Sequence, residues 1–161
     1  MSKSLARVRA ALDGAGVAVD ILEMADSTRT AAEAAEAAGC HLDQIAKSII
    51  FRGEETGHAV LFLTAGGNRV DAARATAVAG QPLGRADAAL IRAETGFAIG
   101  GVAPVGHLKP VTAFFDPRLL MFDQVWAAAG TPRHIFAIAP QVLLDLTGAR
   151  LAKFTQATAT A

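Results

Sequence analysis

Apolar positions recur along this chain in two periods, one typical of helices and one typical of strands. Helices are predicted where apolar residues lie three or four apart or where capping signals flank an alanine-rich stretch, over residues 4–12, 31–38, 71–79, 86–94 and 140–147. Short apolar runs rich in β-branched residues predict strands over 17–22, 45–51, 59–64, 111–115 and 135–138. Residues 119–122 fit either a turn or a further short strand. Helices interleaved with strands predict an α+β or mixed α/β fold.

The run from Ile45 to Phe51 contains one lysine, Lys47. Alternation along a strand places its side chain on the same face as Ile45, Ile49 and Phe51. An ammonium among large apolar side chains is costly unless it meets an anion or opens to a cleft. Lys47 also fits the role of an inward-pointing charge near a sheet edge, where it discourages aggregation and its ammonium group reaches water. The segment alone leaves both interpretations open.

A glycine-rich loop supplies the second candidate element. Adjacent Gly100 and Gly101 let the backbone approach a ligand closely, and Pro104 stiffens the loop. The same composition is typical of an ordinary turn. His134 precedes the last apolar run, where it fits either a surface position at a strand end or a hydrogen-bonding group in a pocket.

Length and charge limit the class of protein. The chain has 161 residues, so we expect one domain over 1–161 with its core over about 5–151. The chain has a single cysteine, no apolar signal-peptide core at its start and no apolar run long enough to cross a membrane. These features predict a soluble cytoplasmic protein. Fifteen basic and fifteen acidic residues give a net charge of zero, which argues against coating long nucleic acids, and no DNA partner is expected. Recognition of a few nucleotides at one end of an RNA remains compatible with this charge.

Several common catalytic motifs are absent from the sequence. It has no GxxxxGK[ST], no GxGxxG after a strand and no GxSxG. The four histidines are scattered without zinc-ligand spacing, so we expect no metal and no cofactor, although ligands converging from distant positions stay possible.

Taken together and in this order, the segments resemble the YbaK/prolyl-tRNA-synthetase-associated domain family. That family comprises free-standing trans-editing deacylases and the insertion domain of bacterial prolyl-tRNA synthetases. The resemblance extends from about Leu5 to Leu151, and its matching stretches are 27–38, 44–51, 69–71, 95–106 and 130–138. It implies a single α+β domain with a mixed, largely antiparallel central sheet packed by helices. The implied activity is hydrolysis of the ester bond of mischarged aminoacyl-tRNA.

The resemblance also implies roles for individual residues. Lys47 would hold the phosphate of the terminal nucleotide, and Gly100 and Pro104 match a GxxxP motif whose backbone faces the aminoacyl group. Ser48 stands where the family varies with amino-acid specificity. Some alanine-specific members carry asparagine there, so serine argues mildly against alanine and leaves the cysteine, serine and threonine types open. The implied catalytic residues are Lys47 and Gly100, and the implied substrate-binding residues are Thr30, Ser48, Gly101, Pro104 and His134.

The implied chemistry needs no strong enzymic nucleophile, since the ester is already activated. The ribose 2′-hydroxyl, a substrate side chain or water can attack once it is positioned, and backbone N–H groups near Gly100 and Gly101 can stabilise an oxyanion. The implied partners are the aminoacyl-tRNA acceptor end and prolyl-tRNA synthetase or an elongation factor. Two other functions stay open: a non-catalytic module that binds tRNA ends or a synthetase, and a hydrolase of other small acyl esters.

Overall fold

The structure is a computed structural model that describes residues 2–25 and 30–157. The described residues form five α-helices, which are α1 (Lys3–Gly14), α2 (Ala31–Ala38), α3 (Ala72–Ala79), α4 (Ala88–Thr95) and α5 (Pro140–Thr147). They also form eight strands, which are β1 (Ile21–Glu23), β2 (Ala46–Gly53), β3 (Ala59–Ala65), β4 (Leu83–Arg85), β5 (Thr112–Phe115), β6 (Val125–Ala128), β7 (His134–Ile138) and β8 (Arg150–Leu151). Two 3₁₀ helices cover Leu42–Gln44 and Pro117–Met121.

The strands form two sheets. The larger has the order β4-β2-β3-β5-β8, in which β2 is antiparallel to β3 and β4, whereas β5 is parallel to β3 and β8. The smaller is antiparallel, with the order β1-β7-β6. A single parallel bridge between Ile45 and Trp126 connects the two. The predicted α+β class with a mixed sheet is confirmed, but the second sheet was not predicted.

The central strand β3 is buried along its whole length, and its sequence is apolar except for Thr64. On one face, Leu61 and Leu63 join the cluster that includes Phe136 of the smaller sheet. On the other, Phe62 stacks with Phe114 at 5.3 Å between ring centroids. The main core therefore lies between the two sheets, and a second cluster lies on the opposite face of the larger sheet.

The capping signals read from the sequence are confirmed. The Thr30 Oγ1 accepts from the Glu33 N–H at 3.1 Å, and the Glu33 carboxylate accepts from the Thr30 N–H at 3.3 Å, so both halves of the capping box are present. Gly39 ends α2 with φ of 68°, in the left-handed region that favours glycine. These ends hold α2 against the start of β2 through Ala34, Ala35 and Ile45.

The strand predictions need correction at several places. Within 17–22 only residues 21 and 22 are in a strand, because β1 pairs with β7 over three residues alone. The short strands β4 and β8 were missed because two or three residues carry no readable period; they form by pairing at the edges of the larger sheet. The strand β6 was missed as well. Residues 119–122 belong mainly to the second 3₁₀ helix.

Candidate active site

A cavity of about 650 Å³ opens between α2, the first half of β2, β6 and the glycine-rich loop. The cavity lies beside the half of β2 that precedes residues 51–53, where, among the described residues, β4 does not pair with the strand. Six alanines leave the space open; they are Ala31, Ala32, Ala34, Ala46, Ala127 and Ala128. Trp126 supplies the one large aromatic surface among the lining residues. This volume is typical of small-molecule sites.

Lys47 lines this cavity and is half-buried. Its Nζ donates to the carbonyl oxygen of Asn68 at 2.6 Å and to that of Gly66 at 3.3 Å. Burial lowers the pKa of Lys47, and the nearby guanidinium of Arg69 lowers it further, while Asp116 and Asp43 act in the opposite direction. An ammonium has three donors, so two carbonyls leave one for a ligand.

The turn that holds the ammonium is itself fixed by two carboxylates. Buried Asp116 accepts from the backbone N–H of Ala65 at 3.1 Å and from the side-chain amide of Asn68 at 2.9 Å. Asp43 accepts from the Gly67 N–H at 2.8 Å. Neither carboxylate forms an ion pair with Lys47 in the part of the chain that the structure describes. The Lys47 charge is therefore oriented by dipoles and left without direct neutralisation.

Thr30 and Ser48 line the same cavity. Ser48 follows Lys47 on β2 and pairs with Leu63 on β3. The Thr30 hydroxyl donates to Glu33 Oε1 at 2.9 Å while it caps α2, so much of its hydrogen-bonding capacity is already used. Both residues border the space that a ligand beside Lys47 would occupy.

The glycine-rich loop reaches the cavity through Gly100, which has φ of 92°. The next residue, Gly101, donates its N–H to the carbonyl oxygen of Ala98 at 3.1 Å, which closes a turn. That N–H is therefore engaged in this conformation. Gly101 itself packs on the backbone of Thr131 and Pro132.

Three predicted site residues are not among those that line the main cavity. Gly101 lies behind Gly100, and buried Pro104 lines a second cavity of about 280 Å³ on the other side of the loop. The Nδ1 of His134 is 2.6 Å from Thr131 Oγ1, and its Nε2 is 3.9 Å from Glu23. The structure thus brings Lys47, Gly100, Thr30 and Ser48 together, and substrate contacts for the other three remain predictions. Residues 27–29 of the first matching stretch lie outside the described residues.

The sequence did not single out Trp126, Asp43 or Asp116. Asp116 precedes Pro117 and accepts from the Arg118 N–H at 3.0 Å, so its position fits an ordinary helix cap. Its second role, which is holding the turn beneath Lys47, depends on contacts between residues about 50 positions apart. No local pattern encodes such contacts.

Two basic side chains brace the glycine-rich loop from behind. The Nε of Arg7 donates to the Gly106 carbonyl at 3.1 Å, and its guanidinium lies 4.7 Å from the centre of the Phe97 ring. The Nε2 of His107 is 2.8 Å from the Ala103 carbonyl oxygen. Burial lowers the pKa of His107, and Arg7 lowers it further, against the opposing effect of the Ala103 hydrogen bond. His107 is therefore held as a neutral donor.

This arrangement predicts an acid-dependent loss of stability. Because the folded-state pKa of His107 lies below the usual 6.5, its contribution is complete above pH 6.5 and is lost as the pH falls through the folded value. We expect the free energy of unfolding of His107→Gln to fall less between pH 7 and pH 5 than that of the wild type. Urea unfolding at several pH values measures this, and equal slopes for the two proteins would contradict it.

The structure is a small α+β domain with a cavity whose lining includes Lys47, which has no ion-pair partner among the described residues. The described residues contain no helix able to cross a membrane and no group of three metal-ligating side chains. The family model of the aminoacyl-tRNA editing domain matches residues 25–146. The chain belongs to this family, which confirms the resemblance to YbaK proteins and an editing role.

Known relatives agree with this membership. The chain is 47% identical in sequence to a proposed trans-editing enzyme for prolyl-tRNA synthetase whose crystal structure is known. The two structures superpose with a TM-score of 0.90 over 98% of this chain and 99% of that one. A hypothetical protein of known structure is 27% identical, with a TM-score of 0.85 over 93% and 99% of the two chains. The uncharacterized protein YwhH of Bacillus subtilis is 30% identical over 128 residues, which are 80% of this chain and 81% of YwhH.

Proposed function

We propose that the protein is an aminoacyl-tRNA deacylase that acts in trans on mischarged tRNA. The observation that carries the proposal is the Lys47 ammonium at the cavity, held by two carbonyls beside Arg69 without an ion-pair partner among the described residues. A phosphate of the terminal nucleotide would complete this site, since a lysine binds phosphate as a point charge. The aminoacyl ester would then extend into the space between the alanines.

In this proposal Lys47 binds and orients, and it does not attack. Its nitrogen donates to two carbonyl oxygens, which fits the protonated form. The attacking group is water, which the ribose hydroxyl can help to position, or a side chain of the substrate. With water, its oxygen adds to the ester carbonyl, the bond from the carbonyl carbon to the ribose oxygen breaks, and a proton from the water passes to that ribose oxygen, so free amino acid and tRNA leave. Holding these atoms in line is the main contribution of the cavity.

The walls favour a small aminoacyl group. Ser48 gives one polar contact at the cavity, and the neighbouring lining is alanine-rich. A cavity of fixed shape rejects an extra methylene by about 1–3 kcal/mol, which is enough for a size preference and not for absolute specificity. We therefore propose cysteinyl, seryl, threonyl or alanyl esters as substrates, with tRNA for proline among the candidate carriers.

One observation favours a second function, which is binding of a tRNA end or a synthetase without turnover. The Thr30 hydroxyl and the Gly101 N–H are already engaged within the protein, so few groups remain to act on the ester carbonyl. A module that binds the tRNA end or a synthetase without turnover would need only Lys47 and the cavity.

A deacylation panel separates the two functions. The wild type is expected to release the amino acid from at least one of Ala-, Cys-, Ser- and Thr-charged tRNAs, with and without prolyl-tRNA synthetase. Release of labelled amino acid is the measurement. Binding to these tRNAs without release from any of them would overturn the deacylase and leave the binding module.

A further inference from the structure

Three planar side chains lie against one another outside the lining of the main cavity. The rings of His41 and Phe122 have centroids 5.9 Å apart and planes inclined by 31°. The Arg118 guanidinium lies 4.7 Å from the centre of the Phe122 ring. His41 is exposed, and Phe122 and Arg118 are partly exposed. We call this group of three residues the stacking platform.

Asp43 holds two members of the stacking platform, Arg118 and His41. The Nε of Arg118 donates to Asp43 Oδ2 at 3.0 Å, and the Asp43 N–H donates to Nδ1 of His41 at 3.0 Å. That second bond makes Nδ1 an acceptor, so the neutral ring carries its proton on Nε2. Planar groups held this way lose little conformational entropy when a ligand binds.

The same carboxylate connects the stacking platform to the Lys47 site. Asp43 accepts from the Gly67 N–H at 2.8 Å, and Gly67 lies in the turn whose carbonyls hold the Lys47 ammonium. Leu42, which follows His41, lines the cavity. The platform therefore adjoins the cavity on the side where Lys47 is placed.

We propose that the stacking platform binds the unpaired bases that precede the terminal nucleotide of an RNA 3′ end. This inference rests on the proposed function, in which the terminal nucleotide lies at Lys47. Single-stranded RNA is bound by stacking its bases on aromatic rings and arginine planes while cations meet its phosphates. His41, Phe122 and Arg118 provide the flat surfaces. Arg69 and Lys47 provide positive charge in a chain whose net charge is zero, whereas the charge of Arg118 is paired with Asp43.

The test compares a full with a minimal substrate. For Phe122→Leu we expect the ratio of kcat/KM on aminoacyl-tRNA to kcat/KM on the aminoacyl ester of adenosine to fall about 10-fold, since one lost base stack is worth about that much. Arg118→Lys keeps the charge and loses the plane, so its ratio should fall in the same direction. Arg92→Lys, on exposed α4 surface, is the matched control and should leave the ratio unchanged.

A binding measurement separates this inference from the proposed function. The probe is a short single-stranded RNA that ends as a tRNA does and carries an amide-linked amino acid. If the wild type hydrolyses nothing but binds this RNA about 10-fold tighter than Phe122→Leu and Arg118→Lys do, the deacylase is wrong and the platform stands. Equal RNA affinity for wild type and both variants overturns the platform. Weaker binding of both variants to purified prolyl-tRNA synthetase, with unchanged RNA affinity, assigns the surface to a protein and also overturns it.

Discussion

Replacing Lys47 with alanine should lower kcat/KM for aminoacyl-tRNA about 100-fold or more. Truncating one member of a desolvated charge pair costs about 2–5 kcal/mol, and about 1.4 kcal/mol corresponds to a factor of ten. The fold should persist, because the substitution also removes the cost of burying an ammonium that has no ion-pair partner among the described residues. Steady-state deacylation of the best substrate in the panel measures the loss, and thermal unfolding checks the fold.

Two further variants at this position separate charge from shape. Lys47→Met keeps most of the apolar stem and should be as inactive as Lys47→Ala. Lys47→Arg keeps the charge but presents a planar fork to two carbonyls placed for a single nitrogen, so partial activity is expected. Lys109→Ala, at an exposed lysine, is the matched control. Full activity of folded Lys47→Met would show that the ammonium has no role in turnover.

The local part of the fold was predictable from the sequence. The capping box at Thr30, the glycine after α2 and the apolar runs of β2 and β3 each encode their element within about eight residues. The structure pairs β2 with β3 as an antiparallel hairpin, which agrees with the turn between those two runs. Strands of two or three residues were not predictable, because pairing with a neighbour creates them.

The face assignment for Lys47 was only partly correct. Ile49 and Phe51 do pack together, against the cluster around Phe62. Ile45 precedes β2 and packs with Trp126 and α2 instead. The interpretation of Lys47 as an edge charge also has a structural basis, since in the part of the chain that the structure describes β4 pairs only with residues 51–53 of β2. The open edge and the cavity are the same feature, so the two interpretations made from the sequence are not exclusive.

The candidate site could be predicted only as far as its residues act locally. Lys47 and Gly100 were found because a charge in an apolar run and paired glycines are visible in the chain. Asp43 and Asp116 were not, because their acceptor roles come from contacts that join the two 3₁₀ helices to the turn after β3. Such long-range contacts belong to the fold, and they decide how rigidly Lys47 is held.

Replacing Gly101 with alanine should lower both the stability of the protein and its kcat for deacylation. A Cβ at this position would lie 2.8 Å from the carbonyl carbon of Thr131, 2.9 Å from its Cα and 3.1 Å from the Pro132 nitrogen. All three are backbone atoms, so no side-chain rotation relieves the clash and one of the two loops must move. Overpacking of this kind costs about 1–3 kcal/mol of stability. A displacement approaching 1 Å at Gly100 would lower kcat by up to about 100-fold.

Gly14→Ala is the matched control for this substitution, because a Cβ there meets nothing within 4 Å at the end of α1. It should leave kcat unchanged and alter the free energy of unfolding by less than about 1 kcal/mol. Urea unfolding and single-turnover deacylation of both variants separate destabilisation from misplacement of the loop. At a temperature where folded Gly101→Ala predominates, wild-type kcat would mean that the Gly100 backbone takes no part in the reaction. A reduced kcat with an unchanged substrate affinity would place the loop against the reacting ester, because only transition-state contacts would then have been lost.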